Sequence, residues 1–314
     1  YPRFKPRRGR QSATYTRSAF RMRGTDLWLA KMTAPLKVTW TWPGTDLAAL
    51  SPTSVTVVRD PAGRWFVTFH AEIPDPAPLP AAAGAIGIDL GLTDFAVRSD
   101  GDRIPHPRHM DRYEQRLKRY QRRHARCQKN SANRRKAARK VARAHARVAD
   151  ARRDFLQQES TRLIRSFGVI AMEDLAAKNM VRNRKLARAI SRTGWGEFRR
   201  QLDYKAQRYG RTLAVADRWF PSSKTCSACG FVLAELDLGT RQWTCPACGT
   251  RHDRDVIAKN ILAAGLAAAA AKNGGEACGA DVRHEGQPPV QTAMKQKPRP
   301  ARAGIPALQL QDGE

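Results

Sequence analysis

Two groups of residues have types and spacings that could do chemistry. Four cysteines form two Cys-x-x-Cys pairs, Cys226 with Cys229 and Cys245 with Cys248. Three acidic residues, Asp89, Glu173 and Asp255, are far apart along the chain, but each lies in or beside a segment whose pattern predicts regular structure. The cysteine pairs indicate zinc. The acids indicate a magnesium site of the kind that nucleases use.

The cysteine spacing, Cys-x2-Cys-x15-Cys-x2-Cys, is typical of a structural zinc site with four thiolate ligands. Gly230 and Gly249 follow the pairs and permit the tight turns that such a site needs. A short hairpin is predicted between the pairs, over residues 231–243. Because four thiolates complete the coordination, neither catalytic water nor thiol redox chemistry is favoured. His252 is a weaker rival ligand and is predicted to be a surface histidine.

The acids are predicted to hold catalytic magnesium. Asp89 lies within an apolar strand, where an ionised carboxylate needs a cation or strong hydrogen bonds. Glu173 ends a second apolar strand, and Asp255 opens a helix. Each alone could be an ordinary strand-end acid or helix cap. Together, in a chain built to hold polyanions, they favour two metal ions about 4 Å apart that assist phosphodiester hydrolysis.

The charge of the chain predicts a nucleic-acid partner. Its 57 Lys and Arg residues outnumber 28 Asp and Glu residues, which gives a net charge of +29. Such an excess attracts polyanions. No apolar run of about 18 residues and no signal peptide is present, so we expect no membrane partner and a cytoplasmic, nucleoid-associated protein.

Basic residues are densest in a helical region over residues 111–163, which is predicted to break near residues 130–133. Among the 44 residues from Asp111 to Asp154, 17 are Lys or Arg, too many for pairing with acids along a solvated helix face. The predicted phosphate-binding residues are Arg134, Arg135, Lys136, Arg139 and Lys140.

The order of predicted elements indicates an α/β fold with an insertion. Alternating patterns predict strands over residues 37–42, 54–58 and 64–73, followed by a Pro/Ala linker over residues 74–83. Buried strands are predicted over residues 85–91, 168–174 and 212–217, with helical segments between them and after the cysteines.

Several segments together resemble the TnpB (OrfB) proteins of insertion sequences, which are relatives of type V CRISPR effectors. They are GIDLGLTDFAV, VIAMEDL, WFPSSKTCSACG, RQWTCPACG and HDRDVIAKNIL, and PRFKPRRGRQS and YKAQRYG are also similar. The resemblance implies an RNase H-like (RuvC) nuclease domain with an inserted zinc ribbon, preceded by a wedge-type β-barrel. Asp89, Glu173 and Asp255 match the catalytic positions of the family. The resemblance also implies a guide RNA from the transposon end and a DNA target beside a short flanking motif.

The domain boundaries follow from the patterns and the resemblance together. We predict a partial wedge β-barrel (1–83), a RuvC-like domain with the basic helical region (84–221), a zinc ribbon (222–251), the end of the RuvC-like domain (252–272) and a disordered tail (273–314).

Two departures from the family leave alternatives open. The chain begins at Tyr1 and lacks the family's first barrel strand and recognition helices, so we expect an N-terminal truncation. The family's D-R-D-x-N-A-A-x-N-I motif is one residue shorter here. The leading hypothesis is an RNA-guided, magnesium-dependent DNA endonuclease. A nuclease-deficient, guided DNA-binding protein is the alternative. A conventional transposase is disfavoured, because the acids come in the order Asp, Glu, Asp.

Overall fold

The computed structural model describes residues 11–39, 49–73, 77–82, 84–107, 109–237, 239–240, 242–253, 257–274 and 308–309. They divide into two compact units. The first comprises the described residues of Tyr1–Asp75, His109–Ala151 and Pro300–Glu314, and the second those of Pro76–Arg108 and Arg152–Arg299. Most of the basic helical region therefore groups with the N-terminal strands, whereas the sequence analysis placed it in the nuclease domain.

The fold combines strands and helices in both units. The strands are β1 (Gln11–Thr16), β2 (Phe20–Arg23), β3 (Asp26–Leu29), β4 (Ser54–Arg59), β5 (Trp65–His70), β6 (Ala85–Leu90), β7 (Asp94–Arg98), β8 (Arg103–Pro105), β9 (Val169–Glu173), β10 (Thr212–Ala216), β11 (Gln242–Thr244), β12 (Arg251–Asp253) and β13 (Leu308–Gln309). The helices are α1 (His109–Arg126), α2 (Ala132–Ser166), α3 (Ala177–Met180), α4 (Ala187–Thr193), α5 (Trp195–Tyr209) and α6 (Ile257–Gly274), with a 3-10 helix at Arg17–Ala19. The predicted α/β class is confirmed.

The first unit contains an antiparallel sheet in the order β1-β4-β5-β13 and a separate hairpin of β2 and β3. Its core includes Leu27, Val55, Val67 and Phe69. The barrel itself stays a prediction. The two-residue strand β13 lies within the predicted disordered tail; most of that tail lies outside the described residues.

The predicted strand over residues 37–42 is wrong in its described part. Residues 37–39 form no strand, and residues 40–42 lie outside the described residues. Leu36 makes an isolated β-bridge with Leu27, and Val38 packs against the core of the first unit. In the described residues 37–39, the apolar side chain of Val38 therefore packs from an irregular segment and not from a strand.

Helices α1 and α2 are separated by a turn that Ser131 and Arg134 stabilise. The Ser131 hydroxyl accepts a hydrogen bond from the Arg134 amide at 3.1 Å, which is the role of an N-cap. The predicted break near residues 130–133 is confirmed. Residues of α2 up to Ala151 belong to the first unit, and those from Arg152 belong to the second.

The second unit is built on a mixed sheet in the order β10-β9-β6-β7-β8. Strands β10, β9 and β6 are parallel, whereas β7 and β8 continue the sheet in antiparallel pairs. Successive residues of β9 enter different cores: Ile170 and Met172 join one with Phe198 of α5, and Ala171 joins another with Ile261 of α6. Both faces are covered, which explains why these strands read as continuous apolar runs.

Helix α6 packs against the sheet at two glycines, Gly87 of β6 and Gly265 of α6 itself, where a side chain would not fit. A Cβ atom at Gly87 of β6 would collide with the carbonyl oxygen of Ala258. A Cβ atom at Gly265 of α6 would lie 2.6 Å from the Cβ of Ala171. Glycine at both positions therefore allows α6 to approach the middle of β6 and β9 closely. Within the described part of the chain, no helix has the length and apolar character to span a membrane.

Candidate active site and cysteine cluster

Two of the predicted catalytic acids come together at one edge of the mixed sheet. Strands β6 and β9 are parallel neighbours, and Ile88 lies opposite Met172 in their register. The next residues along the two strands are Asp89 and Glu173, and both side chains are half-buried. We call this pair the acid edge. Parallel pairing thus places residues 84 positions apart in the sequence at neighbouring positions in space.

The acid edge faces the side of the sheet that α6 covers. Side chains alternate along a strand, so Asp89 shares the side of Gly87, and Glu173 shares the side of Ala171. Both of those residues lie against α6, Gly87 near Ala258 and Ala171 near Gly265. The third predicted acid, Asp255, lies outside the described residues, two positions before the first residue of α6.

Glu173 is held by a chain of hydrogen bonds that begins in α6. The hydroxyl of Ser222 donates to Glu173 Oε1 at 2.5 Å. The buried Asn260 side chain donates to the carbonyl oxygens of Ser222 at 2.8 Å and Thr225 at 2.7 Å. Sequence reasoning missed Ser222 and Asn260, although each lies in a motif segment that carries the family resemblance. In the shortened motif, Asn260 still makes this contact.

Asp174, which follows Glu173, has a different environment. Its carboxylate accepts hydrogen bonds from the guanidinium groups of Arg199 and Arg218, and Arg218 Nε also donates to the Asp174 carbonyl oxygen at 3.3 Å. The bonds from Arg199 and then Arg218 lower the pKa of the Asp174 carboxyl below its usual value. Two arginines therefore occupy Asp174, whereas Glu173 receives a neutral hydroxyl donor and is the better placed of the two acids for a cation.

The four cysteines form one compact cluster, with all Sγ atoms within 4.8 Å of one another. The Sγ atoms are 3.6 Å apart in Cys226–Cys248 and 3.6 Å apart in Cys229–Cys245. A disulfide would require about 2.0 Å. Thiolates around a tetrahedral zinc, at about 2.3 Å from the metal, are separated by about 3.8 Å. The cluster could therefore bind a zinc ion.

Each cysteine pair sits on the same kind of turn. The amides of Gly230 and Gly249 donate to the carbonyls of Cys226 and Cys245 at 3.0 and 2.9 Å. Both glycines have positive φ, of 77° and 71°. Because each turn reverses the chain, the residues that flank each pair meet. The predicted hairpin over residues 231–243 is therefore wrong in place. Strands β11 and β12 pair across the second cysteine pair, and Thr225 bridges Val232 across the first.

His252 is not the surface residue that the sequence suggested. It is 1% exposed, and its Nε2 lies 3.0 Å from Cys226 Sγ. Its ring also packs on Trp243, with 4.5 Å between the ring centroids. Antiparallel pairing of Trp243 with His252 brings the histidine under the cluster. Among the described residues, the group able to hold a metal consists of the four cysteines, and His252 contacts one of them from outside.

The five basic residues predicted to contact phosphate fall into two classes. Arg135, Lys136, Arg139 and Lys140 are exposed. Arg134 is half-buried, and its guanidinium donates to the carbonyl oxygens of Cys127 at 2.9 Å and His124 at 3.3 Å. These carbonyls belong to the end of α1 and the turn after it, so Arg134 stabilises the junction between α1 and α2.

Two segments of the chain match models of known protein families. Residues 68–184 match the OrfB_IS605 family, described as "Probable transposase". Residues 195–261 match the family described as "Cas12f1-like, TNB domain".

Individual relatives agree with these matches. A protein of Streptomyces pristinaespiralis, described as "Putative RNA-guided DNA endonuclease", is 50% identical over 312 residues, which cover 98% of this chain and 75% of the relative. A Mycobacterium tuberculosis protein described in the same words is 36% identical over 54% of this chain and 39% of its own length.

Among solved structures, a Cas12f1-sgRNA-target DNA complex matches with a TM-score of 0.47 and 15% identity, over 67% of this chain and 45% of that one. The chain spans less than half of that protein. The identity of 50% to the Streptomyces relative is measured over an alignment that spans 98% of this chain. The chain therefore belongs to the TnpB (OrfB) family.

Proposed function

We propose that the chain is an RNA-guided, magnesium-dependent DNA endonuclease, or the greater part of one. The observation that carries this proposal is the acid edge, where parallel pairing of β6 and β9 places Asp89 beside Glu173. Relatives described as RNA-guided DNA endonucleases support the choice of substrate and guide. The net charge of +29 suits a protein that holds both a guide RNA and a DNA target.

The residues at the acid edge fit magnesium. Asp89 and Glu173 offer carboxylate oxygens, the ligands that this ion prefers, and Asp255 is proposed as the third ligand from the start of the α6 segment. The Ser222 hydroxyl occupies part of the capacity of Glu173 Oε1 and orients the carboxylate, which leaves Oε2 for a cation. When bound, a pair of such ions would stabilise the charge on the attacking and leaving oxygens of a phosphodiester.

The second unit is proposed to be an RNase H-like domain with an inserted zinc ribbon. Its mixed sheet, in which antiparallel β7 and β8 extend the parallel strands, and the helix cover on both faces support this assignment. The spacing of the Sγ atoms supports structural zinc held by the four cysteines. With four thiolates as ligands, zinc would cross-link and stabilise the ribbon and would leave no coordination position for substrate.

The exposed basic residues of α2 are proposed to contact nucleic-acid backbone. Arg135, Lys136, Arg139 and Lys140 lie within two turns of one helix and are all exposed. Phosphate contacts of this kind position a duplex without reading its sequence. Sequence selection would come from pairing between a guide RNA from the transposon end and the target DNA.

An assay of RNA-guided DNA cleavage (guided cutting) tests the proposal directly. The chain is purified with RNA from its transposon end and incubated with Mg²⁺ and a target plasmid that carries randomised flanking sequence. We expect magnesium-dependent cutting that falls more than about 100-fold in Asp89→Ala, because even the partners that orient metal ligands are worth about 10–100-fold.

Asp94→Ala is the matched control. Asp94 is an acid of the neighbouring strand β7, and its carboxylate pairs with Arg103 at 3.1 Å on the surface. Surface pairs of this kind contribute little, so the variant should cut like the wild type. Equal cutting by Asp89→Ala and Asp94→Ala would refute the assignment of the acid edge.

A guided DNA-binding protein without cleavage is the second candidate. The one-residue deletion after Asp255 favours it, because such a change turns the following helix by about 100°. Guided binding without cutting would support this candidate. Insertion of one residue between Ile257 and Ala258 should then restore cutting if the register of Asp255 is the cause.

A further inference from the structure

Trp219 is the most exposed large apolar side chain in the described part of the chain. It is 85% exposed, whereas the other exposed large apolar residues are between 36% and 48% exposed. Tryptophan buries more apolar area than other side chains when it finds a partner. An indole presented in this way is therefore a candidate contact for something outside the chain.

The turn that carries Trp219 is held in place on both sides. The Trp219 amide donates to Asp217 Oδ1 at 2.8 Å, and the Phe220 amide donates to the Asp217 carbonyl at 3.1 Å. The preceding residue, Arg218, is anchored to Asp174 through both the carboxylate and the carbonyl oxygen. A ring on a fixed backbone loses little conformational freedom when it binds, so the site is preorganised.

The same turn leads directly to the acid edge. Ser222, three residues after Trp219, donates its hydroxyl to Glu173, and its amide donates to the Phe220 carbonyl at 2.8 Å. Asp174, to which Arg218 is bound, is the residue after Glu173. Residues on both sides of Trp219 therefore make hydrogen bonds to the acid edge or to the residue that follows it: Ser222 to Glu173, and Arg218 to Asp174.

We propose that Trp219 stacks on an unpaired base of the single-stranded DNA that enters the acid edge. This inference rests on the proposed function and names how the DNA strand is held. The net charge of +29 favours a polyanion, and two arginines share the single carboxylate of Asp174 beside the indole's turn. A duplex hides the faces of its bases, whereas a single strand offers them. Stacking on an aromatic side chain tolerates any base, which a programmable nuclease requires.

The test compares Trp219→Ala with Trp219→Phe in binding a fluorescein-labelled single-stranded oligothymidylate. Both are made in the full chain with Asp89→Ala, so that the probe stays intact. Binding is measured at a salt concentration where phosphate attraction alone is weak. We expect Trp219→Ala to weaken binding about 5- to 150-fold, the equivalent of one stacked base. Trp219→Phe should retain most of the affinity.

Two controls separate stacking from other effects. Val232→Ala removes another exposed apolar side chain and should leave affinity unchanged. An oligonucleotide of the same length with abasic sites in place of bases should bind Trp219→Ala and the parent protein equally. Unchanged binding of oligothymidylate by Trp219→Ala, or an equal loss for the abasic probe, would overturn the inference.

The outcome also separates this inference from the proposed function. A loss of oligothymidylate binding in Trp219→Ala, together with no guided cutting by the wild-type chain, would support stacking and contradict the endonuclease. Guided cutting with oligothymidylate binding that does not depend on Trp219 would support the endonuclease and overturn stacking.

Discussion

The cysteine ribbon (the described residues of 225–253) and the acid edge both present side chains suited to a metal, but they are assembled differently. The ribbon is local: two similar turns within 24 residues bring its four thiols to within 4.8 Å of one another. The acid edge depends on the register between β6 and β9, on the packing of α6 against Gly87 and Ala171, and on a hydrogen bond from Ser222. A short motif therefore specifies the four thiols of the ribbon, whereas the acid edge exists only once the whole unit has folded.

Removal of a thiolate should have the largest effect. We expect Cys226→Ser to lower the zinc content from about one ion per chain to well below one, because the proposed zinc site would lose one of its four thiolate ligands. Amides of the ribbon should lose protection from hydrogen exchange, while those of β6 and β9 keep it. Elemental analysis and hydrogen exchange measure the two effects.

Cys127→Ser provides the control for this experiment. Cys127 follows α1, and its thiol contacts the Arg123 carbonyl at 3.3 Å, away from the cluster in sequence and in unit. The variant should keep its zinc and its ribbon protection. If β6 and β9 lost protection together with the ribbon in Cys226→Ser, the two regions would fold as one, and the contrast between them would be wrong.

The unit that carries the acid edge should instead respond to pH through a buried lysine. Lys205 of α5 is 5% exposed, and its ammonium donates to Ser160 Oγ, Thr161 Oγ1 and the Gln157 carbonyl. Burial lowers its pKa from 10.5 to about 8. Above about pH 8 the folded chain releases a proton that the unfolded chain keeps until about pH 10.5. The destabilisation present below pH 8 is therefore relieved as pH rises.

Lys205→Met should remove this dependence. In the wild type, the contribution of Lys205 to the free energy of unfolding should rise by about 3 kcal/mol between pH 8 and pH 10.5. Other groups also titrate in this range, so the measured quantity is the difference between wild type and variant in urea unfolding at both pH values. A difference that does not change with pH would show that the ammonium is not desolvated.

The two regions also differ in how far the sequence predicts them. Cysteine spacing and the following glycines predict the cluster, because every contact involved is local. Asp89 and Glu173 are predicted as strand-end acids by the apolar runs before them. The contacts that support these acids are not predicted, because Ser222 meets Glu173, and Asn260 meets Ser222, only through tertiary packing.

Residues whose roles were predicted wrongly also make contacts between elements that the sequence does not show. His252 looked like a surface residue because the sequence does not show that β11 and β12 pair across the second cysteine pair. Arg134 was predicted to bind phosphate like its basic neighbours, because the sequence does not show that its guanidinium donates to a carbonyl after the end of α1. Patterns predict elements and local motifs, but contacts between elements decide which of their polar residues are structural.

Substitution of a turn glycine in the ribbon should have a smaller effect on zinc binding than the loss of a thiolate. Gly249→Ala forces an alanine to φ of 71°, which costs about 1–2 kcal/mol. We expect zinc affinity to fall about 5- to 30-fold, as measured by competition with a chromophoric chelator. Gly239→Ala is the matched change, because a Cβ atom there meets nothing within 4 Å, and its zinc affinity should equal that of the wild type. Equal affinities for the two variants would contradict the role of the turn.

Charge reversal on α2 should have the smallest effect on folding and a specific effect on binding. We expect Arg135→Glu with Lys136→Glu to weaken nucleic-acid binding for all sequences. The slope of log affinity against log salt should fall by about 0.9 for each lost phosphate contact. Arg134→Ala should instead lower the thermal stability of the first unit, because its guanidinium holds carbonyls at the junction of α1 and α2. An unchanged salt slope in the double variant would mean that these side chains form only a solvated face.

The central claim is that the acid edge is the catalytic metal site, and the adjacent acids Glu173 and Asp174 test it most directly. Glu173→Gln and Asp174→Asn each replace one carboxylate by an amide of the same shape, and guided cutting of a plasmid is measured across a range of Mg²⁺ concentrations. We expect a loss of more than about 100-fold for Glu173→Gln, whereas Asp174→Asn, which only loosens Arg199 and Arg218, should stay within about tenfold of wild type. Cutting by Glu173→Gln at the wild-type rate, or a larger loss in Asp174→Asn than in Glu173→Gln, would contradict the claim.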